Sequence, residues 1–430
     1  MSRLSIFACL AFSLVASASA AETAVDSASW PQWRGPDRTG KSSETGLLQD
    51  WTAAKPKLLW MAEGFGQGFS SIAIAGGRLY TTGNQSDGQC VVCANAATGK
   101  IIWSKPITAV LPEHAREGAR CTPSIDGNRV YAIASSGLIA CLSAETGDVL
   151  WSKDFDKEWK GVMMSRWGFS ESPLVDGDWV LCTPGGPDAM VVALNKLTGE
   201  TVWKSTVPKF GNRGDDGAGY SSIVVSNAGG VKQYVQLIDR GVIGVRASDG
   251  KFLWGYSDVA NGTANVATPI VSGDYVFCST GYRTGSALLQ LTKAGDGIKA
   301  EEKYFLDGNE LQSHHGGMIL KDGYIYRGQG HNEGFPICVE MQSGKIAWGG
   351  KERGVGKGSA AVAYADGNLI FRYQSGELAL IEASPSGYNL KGTFTPQFVS
   401  RQPCWSHPVI AGGRMYLRDQ EKLMCYDVKK

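Results

Sequence analysis

Short apolar runs alternate with turn clusters along almost the whole chain, and this alternation predicts strands rather than helices. The clearest unit lies between Val191 and Trp203. Val191-Val192-Ala193 and Thr201-Val202-Trp203 are β-prone runs, and Asn195 and Thr198-Gly199 stand between them. Asn bonds its own backbone in turns, and Gly accepts positive φ, so the unit reads as strand, tight turn, strand. It recurs at Ala94 to Trp103, Leu142 to Trp151, Val245 to Trp254 and Val339 to Trp348. The Trp intervals 103→151, 151→203 and 203→254 are 48, 52 and 51 residues, whereas 254→348 spans 94. A degenerate copy is therefore expected between the last two, at Leu291 to Tyr304.

A second pattern, a Gly turn followed by an apolar strand, gives the same count. It occurs at Gly77, Gly127, Gly177, Gly230, Gly273, Gly323, Gly367 and Gly413, eight times in all. A small-polar or Pro segment precedes each, as in Thr122-Pro-Ser, Ser172-Pro-Leu, Thr268-Pro-Ile and His407-Pro-Val. Four short strands per repeat of about 45–50 residues is the size of a propeller blade. The expected fold is an all-β, eight-bladed β-propeller of four-stranded antiparallel blades, with the repeated Trp between neighbouring blades. Approximate blades are 61–104, 117–152, 167–204, 218–255, 265–306, 314–349 and 357–395. Lys57-Leu-Leu-Trp60 resembles a fourth strand without its partners, and Lys422 to Asp427 a third strand lacking its fourth. Residues 54–60 and 403–428 are therefore expected to build the eighth blade and close the ring.

Composition changes the picture at the ends more than in the middle. Gly is 56 of 430 residues, about 13%, nearly twice the usual ~7%, as strand-and-turn repeats require. Met1 to Ala20, with Arg3, an apolar run and Ala18-Ser19-Ala20, reads as a signal peptide. Residues 21–53 form an N-terminal extended segment in which Trp30 and Trp33 should pin the chain to the propeller, which spans 54–430. Without Arg3 the 42 basic residues become 41, matching the 41 acidic ones. A chain so balanced offers nothing to nucleic acid, and no stretch is apolar enough to span a membrane. An exported, periplasmic or secreted monomer is expected, and no helix beyond the leader. Nine of the ten cysteines lie beyond the leader. Cys93, Cys141, Cys338 and Cys425 share one third-strand position, which reads as a small buried hydrophobe.

Ligand-facing residues are expected where loops enter the innermost strands, around the channel mouth. Arg120, Arg166, Trp167, Glu171, Tyr220, His315, Lys357, Arg401, Trp405 and His407 occupy such positions, with Asp216, Asn265 and His314 beside them. Arg283 joins them from a loop between second and third strands, with Tyr282, His331 and Glu333. Arginines beside aromatics suit a carboxylated aromatic ligand, the guanidinium gripping carboxylate and the ring stacking. Trp159, Trp167 and Trp405 are alternatively stacking platforms for a carbohydrate. Adjacent His314 and His315 on a strand would face opposite ways, so no metal is expected there. Trp60, Trp103, Trp151, Trp203, Trp254 and Trp348 are read as structural.

The Ala-x-x-x-x-Thr-Gly-x-x-x-Trp repeat, over roughly residues 56–428, resembles the tryptophan-docking motif of quinoprotein-type (pyrroloquinoline quinone repeat) propellers. That group includes quinone-dependent alcohol dehydrogenases and the assembly lipoprotein BamB, a scaffold without cofactor. Trp30-Pro-Gln-Trp-Arg-Gly-Pro36 is similar to the opening of secreted bacterial propellers of this type. The dehydrogenases' adjacent Cys-Cys disulfide is absent. Of their Glu, Asn and Asp calcium ligands, only Glu171 and Asn265 have candidates. The anchoring Cys of the lipoprotein is absent too. The reading is a non-catalytic binding or scaffold module for a protein partner or small polar ligand, without cofactor. The alternative is a dehydrogenase using pyrroloquinoline quinone and calcium to oxidise an alcohol or sugar.

Overall fold

Each Asn-x-x-Thr-Gly turn closes a hairpin through its own side chains. The Asn195 carboxamide oxygen accepts from the Leu197 and Thr198 amides at 2.8 and 3.2 Å, and Gly199, at φ +74°, donates to the Asn195 carbonyl at 2.8 Å. The pairing register then shifts between Ala193 and Leu194, which sets Trp203 opposite Ala193. The same turn forms at Asn95, and Trp103 faces Cys93. These features come from a computed structural model in which residues 29–430 are described. The expected signal peptide lies outside the described residues.

Among the described residues, thirty-two strands form eight four-stranded antiparallel sheets, the blades of a β-propeller. Blades one to seven run Ala73–Pro106, Ser124–Asp154, Leu174–Ser205, Val224–Tyr256, Ile270–Asp307, Ile319–Gly349 and Ala360–Phe394. Blade eight joins the two ends of the chain: Lys57–Ala62 pairs with Lys422–Asp427, and Trp60 faces Cys425. The degenerate fifth copy is a long hairpin in which Tyr304, facing Leu288, takes the Trp position.

Four of the repeated Trp span two blades. A Cβ at Gly99 would meet the Trp60 ring at 2.6 Å, at Gly147 that of Trp103 at 2.6 Å, at Gly199 that of Trp151 at 2.7 Å, and at Gly250 that of Trp203 at 2.4 Å. The turn glycine of one blade is thus the seat for the preceding blade's indole. Trp103 and Trp151 also donate across the junction, to the Ala144 and Lys196 carbonyls. The nine cysteines among the described residues are free and buried, as expected of small apolar fillers.

The segment after residue 29 crosses one end of the channel. Trp30 exchanges backbone hydrogen bonds with Ile74 of blade one, and the Pro31 carbonyl accepts from Ile125 of blade two. Arg38 donates to the Ser172 and Pro173 carbonyls of blade three, and Arg34 to the Met318 carbonyl beside blade six. Ser42 and Gly40 pair with Tyr364 of blade seven, and Glu44 accepts from Gly412 and Gly413 of blade eight. The strap thereby ties six blades together. It divides the channel, because Arg34 borders a cavity of about 350 Å³ on one side and one of about 370 Å³ on the other.

Two local expectations are corrected. A short helix, Phe155–Trp159, follows blade two, capped by the Asp154 carboxylate. It buries Trp159 against Phe155 in the core, so Trp159 is no stacking platform. No helix of the described residues is long and apolar enough to cross a membrane.

Candidate functional site

The 350 Å³ cavity lies at the end of the channel where the loops enter the innermost strands. Its girdle is built by the small-polar position that precedes each of those strands. The Ser71 amide donates to the Thr122 hydroxyl at 3.1 Å, Thr122 to Ser172 at 3.0 Å, Ser172 to Ser222 at 3.0 Å and Ser222 to Thr268 at 3.3 Å. A belt of hydroxyls runs through five blades. At blade six it meets Gly317, where no side chain follows.

An aromatic wall rises from this belt. His315 stacks on Trp405 with centroids 4.3 Å apart and planes 9° from parallel, and Phe69 lies 4.9 Å beyond Trp405. On the other flank His314 meets His315 and His331 at 4.2 Å each, and Tyr282 leans on His331 at 4.7 Å. Trp405 is held by its indole N–H, which donates to Gln374 at 2.7 Å. Tyr282 and Arg283 both take left-handed φ, +56° and +63°, in a turn closed by Thr284 donating to the Gly281 carbonyl. Such strain in two non-glycine residues is characteristic of functional sites; here the turn brings the Tyr282 ring onto the wall.

Charge on the wall has one sign. Arg116 lies over Trp405 at 4.9 Å, Arg120 over Phe69 at 6.0 Å, and Arg34 forms part of the floor. Among the described residues, no Asp or Glu lines the cavity. Burial lowers Arg120 and Arg34 to about 10, which leaves both charged at neutral pH. Burial also lowers His314, to about 4 with the help of neighbouring His331, and takes His315 and His407 well below the ordinary imidazole range. Those three imidazoles are neutral at pH 7, so the arginines dominate the field.

Of the residues singled out from sequence, Arg120, Trp167, Tyr220, His315, Trp405 and His407 line the cavity together, as do Tyr282, His314 and His331. Arg166 lies outside it over the Trp167 ring, and Arg283, Lys357 and Arg401 are exposed. Glu171 is buried behind the belt, where its oxygens accept from the Thr183 amide and hydroxyl and from Gln236. Asp216 pairs with Arg240 and Glu333 with Arg353, while Asn265 is buried and donates to the Ile238 and Asp239 carbonyls. His314 and His315 are not in a strand, and both border the cavity, contrary to the opposed orientation expected of strand neighbours. Sequence reasoning missed Trp33, Arg34, Phe69 and Arg116; only the strap's Trp-Arg pairing beside Pro and Gly hinted at the first two.

Fold and site together define an eight-bladed propeller with Trp-docked blades and a cationic, aromatic channel mouth. A model of the family described as outer membrane protein assembly factor BamB matches residues 91–350, more than half of the chain, and the chain belongs to that family. A search of curated proteins returned no match. Among solved structures, the chain is similar to a europium-containing methanol dehydrogenase at 12% identity and TM-score 0.65, covering 92% of this chain and 91% of that one. BamB from Moraxella catarrhalis aligns at 11% identity and TM-score 0.60, with 86% and 99% covered. A quinohemoprotein alcohol dehydrogenase from Comamonas testosteroni aligns at 13% and 0.64, with 95% and 84% covered. Likeness at this identity establishes the shared fold.

Proposed function

We propose that this protein is an exported, non-catalytic binding module that holds a small anionic ligand in the channel mouth. The observation that carries the reading is the charge of the wall: three arginines and, among the described residues, no carboxylate around an aromatic surface. Arginine grips carboxylate in bidentate fashion, and the stacked His315–Trp405 face offers a plane for an apolar ring. Membership of a family described by an assembly factor supports a binding role, and the eight-bladed ring supplies a rigid frame for it.

A second reading, a quinone- and calcium-dependent dehydrogenase, draws on the fold shared with two dehydrogenases. The arginines and aromatics fit a carboxylated quinone. The metal does not fit. Calcium needs several oxygen ligands, carboxylates foremost, and no carboxylate of the described residues lines the cavity. Glu171 is turned toward Thr183 and Gln236, and burial raises it to about 8. Among the described residues no group of three or more His, Cys, Asp or Glu is placed to hold a metal ion.

Titration of the full chain with pyrroloquinoline quinone, with and without calcium, followed by dye-linked alcohol oxidation, separates the two. The binding-module reading expects calcium-independent binding of the anion, weakened at least tenfold in Arg120→Gln, and no turnover. Calcium-dependent turnover would overturn it.

A further inference from the structure

The floor of the cavity holds polar atoms that the protein itself leaves without partners. The Trp33 indole nitrogen, the Arg34 Nε and the His407 Nδ1 are buried and make no hydrogen bond among the described residues. They are neighbours. Trp33 and His407 meet edge-on with centroids 4.5 Å apart, and the Arg34 guanidinium lies 5.9 Å from the Trp33 ring. The residues that carry them all border the cavity, and Arg34 is only 4% exposed. The Arg34 terminal nitrogen donates to the Met318 and Thr39 carbonyls, which fixes the guanidinium and leaves Nε over. Gly317, where the hydroxyl belt breaks, lies against the same groups: a Cβ there would stand 2.7 Å from His407 Cε1 and 3.0 Å from Arg34 Cζ.

Leaving a buried donor unmet is costly, and buried polar groups in native proteins are rarely left so. Three orphans in one place, two of them N–H donors and the third able to donate as the Nδ1–H tautomer, ask for an acceptor. Tyr282, His314, His315 and His331 on the wall above add no negative charge, and Arg372 and Arg34 are the charged groups nearest His407. An acceptor carrying one negative charge, with a planar face to match the aromatic wall, satisfies this set.

We propose that Trp33, Arg34 and His407 form a carboxylate-binding subsite at the channel floor, taking the carboxylate of a small aromatic acid whose ring lies against the wall. The subsite rests on the anionic-ligand reading of the same cavity. It adds that the N-terminal strap is part of the binding site, and that depth in the channel selects for a terminal carboxylate. Arg116 and Arg120 at the mouth are then free to meet a second acidic group.

The test is isothermal titration of the full chain with benzoate, its neutral isostere benzamide and the dicarboxylate terephthalate. Wild type should bind benzoate at least tenfold more tightly than benzamide. Trp33→Phe and His407→Phe keep an aromatic ring at each position, a smaller one at 33, and remove the indole N–H and both imidazole nitrogens respectively; each should weaken benzoate about tenfold while benzamide is unchanged, since a hydrogen bond to a charged group is worth that much. Arg34→Gln should lose more, and the two aromatic variants keep the test decisive if that change loosens the strap. Arg120→Gln should reduce binding of terephthalate more than of benzoate. If the acids bind and respond to Arg120→Gln but not to Trp33→Phe, His407→Phe or Arg34→Gln, the floor subsite is wrong and the wider reading survives. If no acid binds wild type, the anionic-ligand reading itself falls.

Discussion

Blade two contains its own controlled experiment on what the repeated Trp-Gly contact is worth. Gly127 and Gly147 both sit in turns of that blade at positive φ, +56° and +77°. A Cβ at Gly127 meets nothing within 4 Å, whereas one at Gly147 stands 2.6 Å from the Trp103 ring and 2.7 Å from Lys105 Cγ. Gly127→Ala therefore isolates backbone strain, about 1–2 kcal/mol for a left-handed L-residue, partly offset by the stiffer unfolded chain; a net loss of about 1 kcal/mol is expected. Gly147→Ala adds displacement of an indole that is only 8% exposed. Overpacking of that kind costs about 1–3 kcal/mol, and the Trp103 hydrogen bond to Ala144, 3.3 Å long, weakens by roughly 1 kcal/mol more. The expected total is about 3–5 kcal/mol. Urea unfolding followed by circular dichroism reads both values, provided the slope is unchanged. Trp103→Leu in the Gly147→Ala background should recover part of the loss, because the clash disappears with the ring. Equal destabilisation by the two alanines, or no coupling to Trp103, would refute the claim that the indole seat holds the blades together.

Two further outcomes follow from other parts of the ring. Glu171 is raised by burial from 4.5 to about 8, so the native state keeps a proton that the unfolded chain releases. Stability from this group is then complete below about pH 4.5 and is lost as pH rises toward 8, by up to about 5 kcal/mol. Glu171→Gln should remove that slope and melt higher than wild type at pH 8 but not at pH 4.5, as scanning calorimetry would show; parallel pH profiles would contradict it. Deleting residues 1–62 should strip the outer strand from Lys422–Asp427 and expose a sheet edge that pairs with other copies. Light scattering should show association, and a stable monomer would mean that blade eight does not need its closing strand.

What the sequence discloses depends on how local the cause is. The hairpins are local: Asn195 binds amides two and three residues away, and Gly199 supplies the φ that the turn needs. The blade count, the Trp positions and even the pairing of Trp60 with Cys425 could therefore be read from spacing. Residues at the entry to each inner strand fall at a fixed point of the repeat, which is why six of the eleven singled out, Arg120, Trp167, Tyr220, His315, Trp405 and His407, share one cavity. The others fail that placement for reasons no period carries. Lys357, Arg401 and Arg283 turn outward on irregular loops, and Glu171 turns inward because Thr183, just past the end of one strand, and Gln236, within another, supply its partners. The floor is the extreme case. Arg34 acts at Met318, 284 residues away, through a strap with no repeat of its own, so its place follows only from where six separate blades leave backbone groups to be met. Residues that complete the cavity from outside the repeat are invisible to any reading of the repeat, and it is there that Trp33 and Arg34 distinguish this channel from one built by blades alone.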